Sequence, residues 1–505
     1  MEGERTMTDA RPPSDVEREL ADLRARCADL EAQLGDLAAE AGEAAEAIRR
    51  AFEMERTALT RAAAAQATIA SVRAGNAGRL ADAYGRWRLR VRNRRQDQRL
   101  RAWRRRAGQR TWSVPPAVSA APMGVNVAGY IDAESGMGEA TRSSIRALGH
   151  AGIPIALNNV PGPQRMLDSS FTDFTDANPH PFNLVHLNAD NMDWFASTRG
   201  AAYFQDRYTI GFWFWELEAF RPDWLPAFDR VDEVWVASDH VRRSVGEDAS
   251  VPVVRMPLAI PALEPLPVGR AHFGLPSDAF AFLYTFDVSS QIARKNPIGA
   301  IRAFRLAALA PEAAVLVLKF TNGHTNPDAV RQLAEAAEGL NVKMIDGAID
   351  RRDLTSLMQA TDCCVSLHRA EGFGLTLAEQ MSLGKPAIAT AYSGNLDFMT
   401  PEVSRLIPAR MIEIERDCGP YLSGFRWADP DLDSAAAAMR DLALAPEAAR
   451  ALGARGRAHV LDVLSLDRAA AAIRSRLDGI RQGHRQPTDD ASGRDASAPA
   501  RDAHV

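Results

Sequence analysis

Two acids, Glu371 and Glu379, flank the run Glu371-Gly-Phe-Gly-Leu-Thr-Leu-Ala-Glu379, which directly follows the short apolar segment Cys363–His368. The apolar segment reads as a buried strand, and the residues from about Leu375 read as a helix. In an open parallel sheet the ligand lies at the carboxyl ends of the strands, so this run sits where chemistry is expected. Its two glycines let backbone come close to a ligand, and the unpaired N–H groups of the new helix form an anion site suited to a diphosphate. A carboxylate beside a phosphate is unfavourable unless it serves hydroxyl groups instead. Sugar and ribose hydroxyls fit, because carboxylates accept hydrogen bonds from them. Arg294 and Lys295 follow another apolar strand, Phe280–Val288.

The elements that must position these groups come in two similar runs. In the first, Met123–Ile131, Pro154–Val160, Phe182–Asp190, Arg207–Glu216 and Glu233–Ser238 read as strands, and Val251–Ile260 closes the run. The second restarts after the proline-rich turn Ile260–Pro267 with strands at Phe280–Val288, Ala313–Phe320, Val342–Gly347, Cys363–His368 and Pro386–Ala391. Short apolar strands alternating with amphipathic helices predict parallel sheets covered on both faces. The expected fold is therefore α/β: two doubly wound, Rossmann-like lobes facing a cleft and divided near residue 265. Ser135-Gly136-Met-Gly138-Glu139 opens a helix after the first strand, a bare phosphate-loop signal for which a tight turn is also sufficient. His186, Asn188 and Asp190 end another strand and are acceptor-side candidates, although His186 equally suits a packed strand position. Phe212, Trp213, Phe214 and Trp215 offer sugar-stacking rings, but strand alternation assigns about half of them to the core.

At 505 residues the chain exceeds one hydrophobic core, and its 46% hydrophobic and 25% charged content is that of an ordinary globular protein. A formal net charge of −5 gives no global attraction to nucleic acid. Cys27, Cys363, Cys364 and Cys418 are too scattered for a disulfide framework and read as free thiols. No apolar leader or run of about 18 apolar residues is seen, which predicts a cytoplasmic protein. Residues 1–78 are expected to be a helical coiled coil. Ser14 and Glu17 have capping-box spacing, and Val16, Leu20, Leu23, Cys27, Leu30, Leu34 and Leu37 keep a heptad seam that suits self-association. Residues 79–110 are Arg/Trp-rich, with arginines crowded between Arg86 and Arg106 around Trp87 and Trp103. An anionic membrane surface on the inner face of the membrane fits this composition, as does a helix neutralised by acidic partners elsewhere in the chain. Nucleic acid fits less well. Residues 111–122 read as a linker, 123–265 as the amino-terminal lobe, 266–481 as the carboxy-terminal lobe, and 482–505 as a disordered tail.

The context EGFGLTLAEQMSLGKPAIAT, with its paired glutamates, resembles the motif of retaining GT-B glycosyltransferases of family 4 (glycosyl transferases group 1). Ser393-Gly-Asn-Leu-Asp-Phe-Met399, Ser366-Leu-His-Arg369 and Arg294-Lys-Asn-Pro297 are similar to a bacterial polysaccharide-assembly subgroup. The resemblance spans roughly Gly124 to Ile480 and is strongest in the second lobe. It implies that Glu371 binds donor-sugar hydroxyls near the reacting carbon and that Glu379 holds the ribose. It also implies that backbone groups of Phe373, Gly374, Leu375 and Thr376 line the sugar and diphosphate, and that Lys295 and Arg294 neutralise the leaving diphosphate. Relatives place an arginine about five residues before the lysine, where Ser290 stands here. Either Arg294 substitutes for it or the phosphate is held less firmly. Gly136 and Gly138 would reach across to the donor phosphate. Glu216 would lie near the acceptor, where relatives carry a histidine. The implied donor is a GDP- or UDP-linked sugar and the implied acceptor a saccharide or lipid-linked saccharide. With no Asp-x-Asp motif read at a strand end, no metal or other cofactor is expected. A nucleotide-sugar epimerase of the same architecture and a non-catalytic coiled-coil scaffold are the alternatives.

Overall fold

A computed structural model describes residue 98, residues 100–162 and residues 168–485. The expected coiled coil over residues 1–78 and most of the tail from 482 lie outside the described residues.

The first sheet has the order β2-β1-β3-β4-β5-β6, all parallel. Its strands are β1 (Val125–Gly129), β2 (Ile155–Asn159), β3 (Phe182–His186), β4 (Tyr208–Phe212), β5 (Glu233–Val236) and β6 (Val253–Arg255). A short helix, α1 (Pro116–Ala120), precedes it, and α2 (Gly136–His150), α3 (Met192–Arg199) and α4 (Asp239–Gly246) connect its strands. Every residue of β1, β3, β4 and β5 is buried, as the unbroken apolar runs predict for a sheet covered on both faces.

The second sheet has the order β12-β11-β10-β7-β8-β9, again parallel. It comprises β7 (Phe280–Asp287), β8 (Ala314–Thr321), β9 (Val342–Asp346), β10 (Cys363–Ser366), β11 (Ala387–Thr390) and β12 (Arg405–Ile407). The helices are α5 (Ile292–Lys295), α6 (Pro297–Ala307), α7 (Pro327–Ala337), α8 (Arg351–Ala360) and α9 (Leu375–Ser382), followed by α10 (Leu432–Leu444), α11 (Pro446–Val463) and α12 (Leu466–Arg481). An antiparallel hairpin, β13 (Ala409–Glu413) and β14 (Arg426–Pro430), is inserted between β12 and α10.

Each sheet reverses its order once. The first does so between β1 and β3, the second between β7 and β10. Loops leaving neighbouring strands at such a point diverge and open a crevice at the strand ends. The β1 and β3 loops carry Gly136–Gly138 and His186–Asp190; the β7 and β10 loops carry Arg294–Lys295 and Glu371. Within each sheet, strand order therefore brings together loops that sequence places far apart.

The chain returns to the first lobe at its end. Helix α12 packs on α2, Arg474 Nε donates to the Ala151 carbonyl at 3.1 Å, and Arg481 Nη2 donates to the Ala121 carbonyl at 2.9 Å. Arg476 reaches the fully buried Glu233 of β5 through two hydrogen bonds, at 2.8 and 2.5 Å. Trp235 and Tyr208 also donate to this carboxylate, and Trp112 of the predicted linker donates in turn to Tyr208.

Residues 100–107 are helical and packed on the first lobe. Trp103 is buried, with its indole N–H donating to the Asp248 carbonyl at 2.8 Å. Arg104 pairs with Asp248 at 2.6 Å and Arg106 with Asp229 at 2.8 Å. In this described part of the Arg/Trp segment, Arg104 and Arg106 pair with acids of the first lobe while Arg101, Arg104, Arg105 and Arg106 all stay exposed. Residues 79–97 and 99 lie outside the described residues. No described helix is long and apolar enough to cross a membrane.

Candidate active site between the lobes

The second lobe presents its residues on two loops. Asn296, in the left-handed region, ends α5, caps α6 through Gly299 N–H and donates to the Leu367 carbonyl at 2.8 Å, so the β7 loop is tied to the end of β10. Arg369 N–H donates to the Arg294 carbonyl at 2.7 Å, and Arg294 Nη1 donates to the Ala370 carbonyl at 2.8 Å. These bonds set Arg294 and Lys295 beside Glu371. Lys295 Nζ lies 2.5 Å from Glu371 Oε1, and Arg294 Nη1 lies 3.3 Å from Glu371 Oε2. Burial works to raise the Glu371 carboxyl, but Lys295 and Arg294 outweigh it and hold it down at about 2. Burial also lowers the Lys295 ammonium, against the pull of Glu371.

Helix α9 begins at Gly374, whose φ of +96° favours glycine, and no side chain caps this amino end. Gly372 and Gly394 meet so closely that a Cβ on Gly394 would stand 2.1 Å from the Gly372 carbonyl oxygen. Ser393 Oγ accepts from Glu371 N–H at 2.8 Å, fixing the loop from the far side. Phe373 turns its ring into the core against Phe398, leaving its backbone as the part available to a ligand. Thr376 and Leu375 are half-buried. Glu379, on the next turn of α9, is 2% exposed and pairs with Arg351 at the start of α8. Arg351 lines a cavity of ≈ 510 Å³ with Glu139 and Arg146 of α2 and Glu264 of the interlobe connection.

The first lobe closes on the glutamate loop. Ser238 Oγ donates to the Gly372 carbonyl at 2.7 Å, and Asp397 accepts from Asp239 N–H at 3.0 Å while pairing with Arg255 at 2.9 Å. Glu216 stands across the junction, 3.9 Å from Arg294 Nη2, and accepts from Tyr421 Oη at 2.9 Å. The structure therefore sets Glu216 beside the cationic pair. The expected strand Arg207–Glu216 stops at Phe212. Beyond it Phe214 N–H donates to the Asn188 side chain, and Trp213 and Trp215 are each 1% exposed in an aromatic cluster with Phe220. Those two indoles are core, and only Phe214 of the run is half-buried.

Other candidates are placed differently. His186 has no exposed surface, stacks on Phe212 at 4.5 Å and is lowered to about 3 by burial, so it presents no ring nitrogen to an acceptor in this conformation. Asp190 lies in the turn Ala189–Asn191 after β3, where the residue keeps an exposed surface while partial desolvation of its carboxyl raises it. Gly138 serves the turn itself, because a Cβ there would lie 2.0 Å from the Ala133 carbonyl oxygen, and its N–H is capped by Ser135. Around Gly136 there is open space. One acidic pair escaped the sequence reading: Asp429-Pro-Asp431 ends β14. Its side chains are engaged, Asp429 with Arg369 and Arg410 at 3.2 Å each and Asp431 as the cap of α10. Among the described residues no group of three or more His, Cys, Asp or Glu is placed to hold a metal.

Tyr421 and Arg351 also escaped notice. Neither belongs to a motif; Tyr421 arrives on a hairpin with no spacing signal, and Arg351 looks like an ordinary first-turn helix residue.

Comparison with known proteins follows the same division of the chain. Residues 283–459 match the family model of glycosyl transferases group 1. Among curated proteins no match is found. The sucrose-phosphate synthase of Thermosynechococcus elongatus has a similar structure, with a TM-score of 0.52 at 16% identity over 72% of this chain and 100% of that one. Anabaena HepE in complex with UDP and glucose gives 0.51 at 14% identity, over 71% and 100%. HepE in complex with UDP-glucose gives 0.50 at 14%, over 70% and 100%. These likenesses are likenesses of fold.

Proposed function

We infer that this chain, a GT-B glycosyltransferase carrying a glycosyl transferases group 1 domain at residues 283–459, moves a sugar from a nucleoside diphosphate to a saccharide or lipid-linked saccharide. One observation supports this most. Lys295 and Arg294 converge on Glu371 beside an uncapped helix amino end, at the order reversal of the second sheet. The amino end of α9 and the two cations suit a diphosphate, taking the part that a divalent ion has elsewhere. Glu371 would accept hydrogen bonds from the donor sugar, and Glu379 from the ribose once Arg351 gives way. The cleft excludes water and orients the acceptor, a positioning contribution that needs no protein nucleophile. In the retaining route, the bond from the anomeric carbon to the diphosphate oxygen breaks and the acceptor oxygen bonds from the same face. The acceptor proton passes to the departing phosphate oxygen. UDP and GDP donors both fit this reading, as does a place in cell-surface polysaccharide assembly. Self-association through residues 1–78 and a peripheral membrane contact through residues 79–110 complete the proposal.

The test is a product analysis with the full chain, a panel of UDP- and GDP-sugars and oligosaccharide acceptors. Acceptor-dependent release of nucleoside diphosphate, with the anomeric configuration kept in the product, is expected. Conversion of the nucleotide sugar without acceptor would mark an epimerase instead. Lys295→Ala should lower turnover by about 10²- to 10³-fold, the loss typical of removing one charge-stabilising group.

A further inference from the structure

The hairpin β13–β14 ends in a tight turn, Cys418 to Tyr421, that touches both lobes. Gly419, at φ +57°, lies against Gln291 of the second lobe, and Cys418 Sγ is 3.2 Å from Gln291 Oε1. From the first lobe, Arg221 Nη1 donates to the Pro420 carbonyl at 2.8 Å. Tyr421 is 3% exposed, with its ring 5.6 Å from Trp215 and its hydroxyl on Glu216. Burial drives the phenol well above its ordinary value, so it acts as a donor.

Across the site the formal charges alternate: Glu216, Arg294, Glu371, Lys295. They sum to zero before any donor arrives. A diphosphate must therefore draw at least one cation away from a carboxylate. Arg294 is the shared cation. Its Nη1 is engaged with Ala370 and Glu371 and its Nη2 with Ser290, while its buried Nε has no hydrogen-bond partner among the described residues. The guanidinium is thus not saturated by its protein partners, and its Nε is shielded from solvent in this conformation. Glu216 is the carboxylate that could close on the guanidinium: its Oε1 stands 3.9 Å from Arg294 Nη2, outside hydrogen-bonding range. Tyr421 holds it there by binding its other oxygen.

We propose that Tyr421 is a positioning residue of the donor site, which restrains Glu216 from closing on Arg294 and so keeps that guanidinium available to the nucleotide's diphosphate. This rests on the donor site proposed above. Without the phenol, Glu216 would relieve its lost hydrogen bond by turning onto Arg294, and the diphosphate would meet a committed cation. The effect travels through Glu216, which separates it from ring packing: Tyr421→Phe keeps the ring against Trp215.

The experiment is calorimetric titration of the full chain with UDP and GDP, in wild type, Tyr421→Phe, Glu216→Gln and the double variant. Tyr421→Phe should weaken the better-bound nucleotide by about tenfold, the scale of one hydrogen bond to a charged group. Glu216→Gln should bind at least as tightly as wild type, and adding Tyr421→Phe to it should change affinity less than about twofold. In steady-state assays the same variant should raise donor KM while leaving kcat within about threefold. Equal weakening by Tyr421→Phe in both backgrounds, no weakening in either, or weakening by Glu216→Gln alone would overturn the inference while leaving the donor site standing. Wild type that binds neither nucleotide would overturn the donor site itself, and this inference with it.

Discussion

Glu371 shows how two cations decide the state of one buried acid. Burial alone would favour its neutral form, yet Lys295 and Arg294 hold the carboxyl at about 2, below its ordinary 4.5. A carboxyl depressed in the folded state contributes stability above its unfolded value, and that contribution is lost as pH falls toward the folded value. The unfolding free energy of wild type minus Glu371→Gln, from urea titrations, should therefore be flat from pH 7 to 5 and decline between about 4.5 and 2. A difference independent of pH would mean that Glu371 is not ion-paired. Glu379 is a neighbouring acid to which we assign a different task, that of holding the ribose. Its contact with Arg351 occupies the oxygen that a ribose would need, so Glu379→Ala should raise donor KM more than it lowers kcat.

At the scale of single elements, the two glycines opening α2 carry unlike constraints despite their shared motif. A Cβ on Gly138 collides with the Ala133 carbonyl at 2.0 Å, a backbone atom that cannot swing away. Gly138→Ala should cost roughly 1–3 kcal/mol in a denaturant titration. A Cβ on Gly136 meets nothing within 4 Å, and alanine suits a helix start better than glycine. Gly136→Ala should keep the melting temperature of wild type while raising donor KM severalfold, because a donor lying against this loop would meet the added methyl. An unchanged KM would remove Gly136 from the donor site. The hairpin β13–β14 makes a complementary point. Its strands are short and partly exposed, with none of the unbroken apolar character that identified β7 or β8. Its tip is nevertheless what holds Glu216 beside Arg294 and short of it.

Taken as a whole, the two lobes are joined by more than the connection near residue 265. Helix α12 lies on the first lobe, and the Arg476–Glu233 pair is its deepest anchor, with side chains 2% and 0% exposed. Removing one member of a buried pair leaves the other charge unpaired, which costs about 3–5 kcal/mol. Arg476→Ala should therefore lower stability by that amount in thermal or urea unfolding. Arg468→Ala on the same helix, which breaks an exposed pair with Asp462 of α11, should change it by no more than about 1 kcal/mol. Similar losses in both variants would contradict the account of α12 as a buried tie.

The sequence by itself determined the two doubly wound sheets, because apolar runs of strand length alternating with amphipathic helices have few other ways to bury their faces. It also marked Glu371, Glu379, Lys295 and Arg294, whose types and strand-end positions are local properties of the chain. Which of the strand-end groups face one another was decided only by tertiary structure. Arg294, four residues from Ser290 where relatives carry an arginine, reaches Glu371 because Asn296 bends the loop onto Leu367. His186 disappears into the core because β3 is central in its sheet. Tyr421 enters the site from a segment whose composition gives no sign of it. Periodicity records burial along an element, whereas contact between distant loops depends on strand order and interlobe packing, which no local pattern carries.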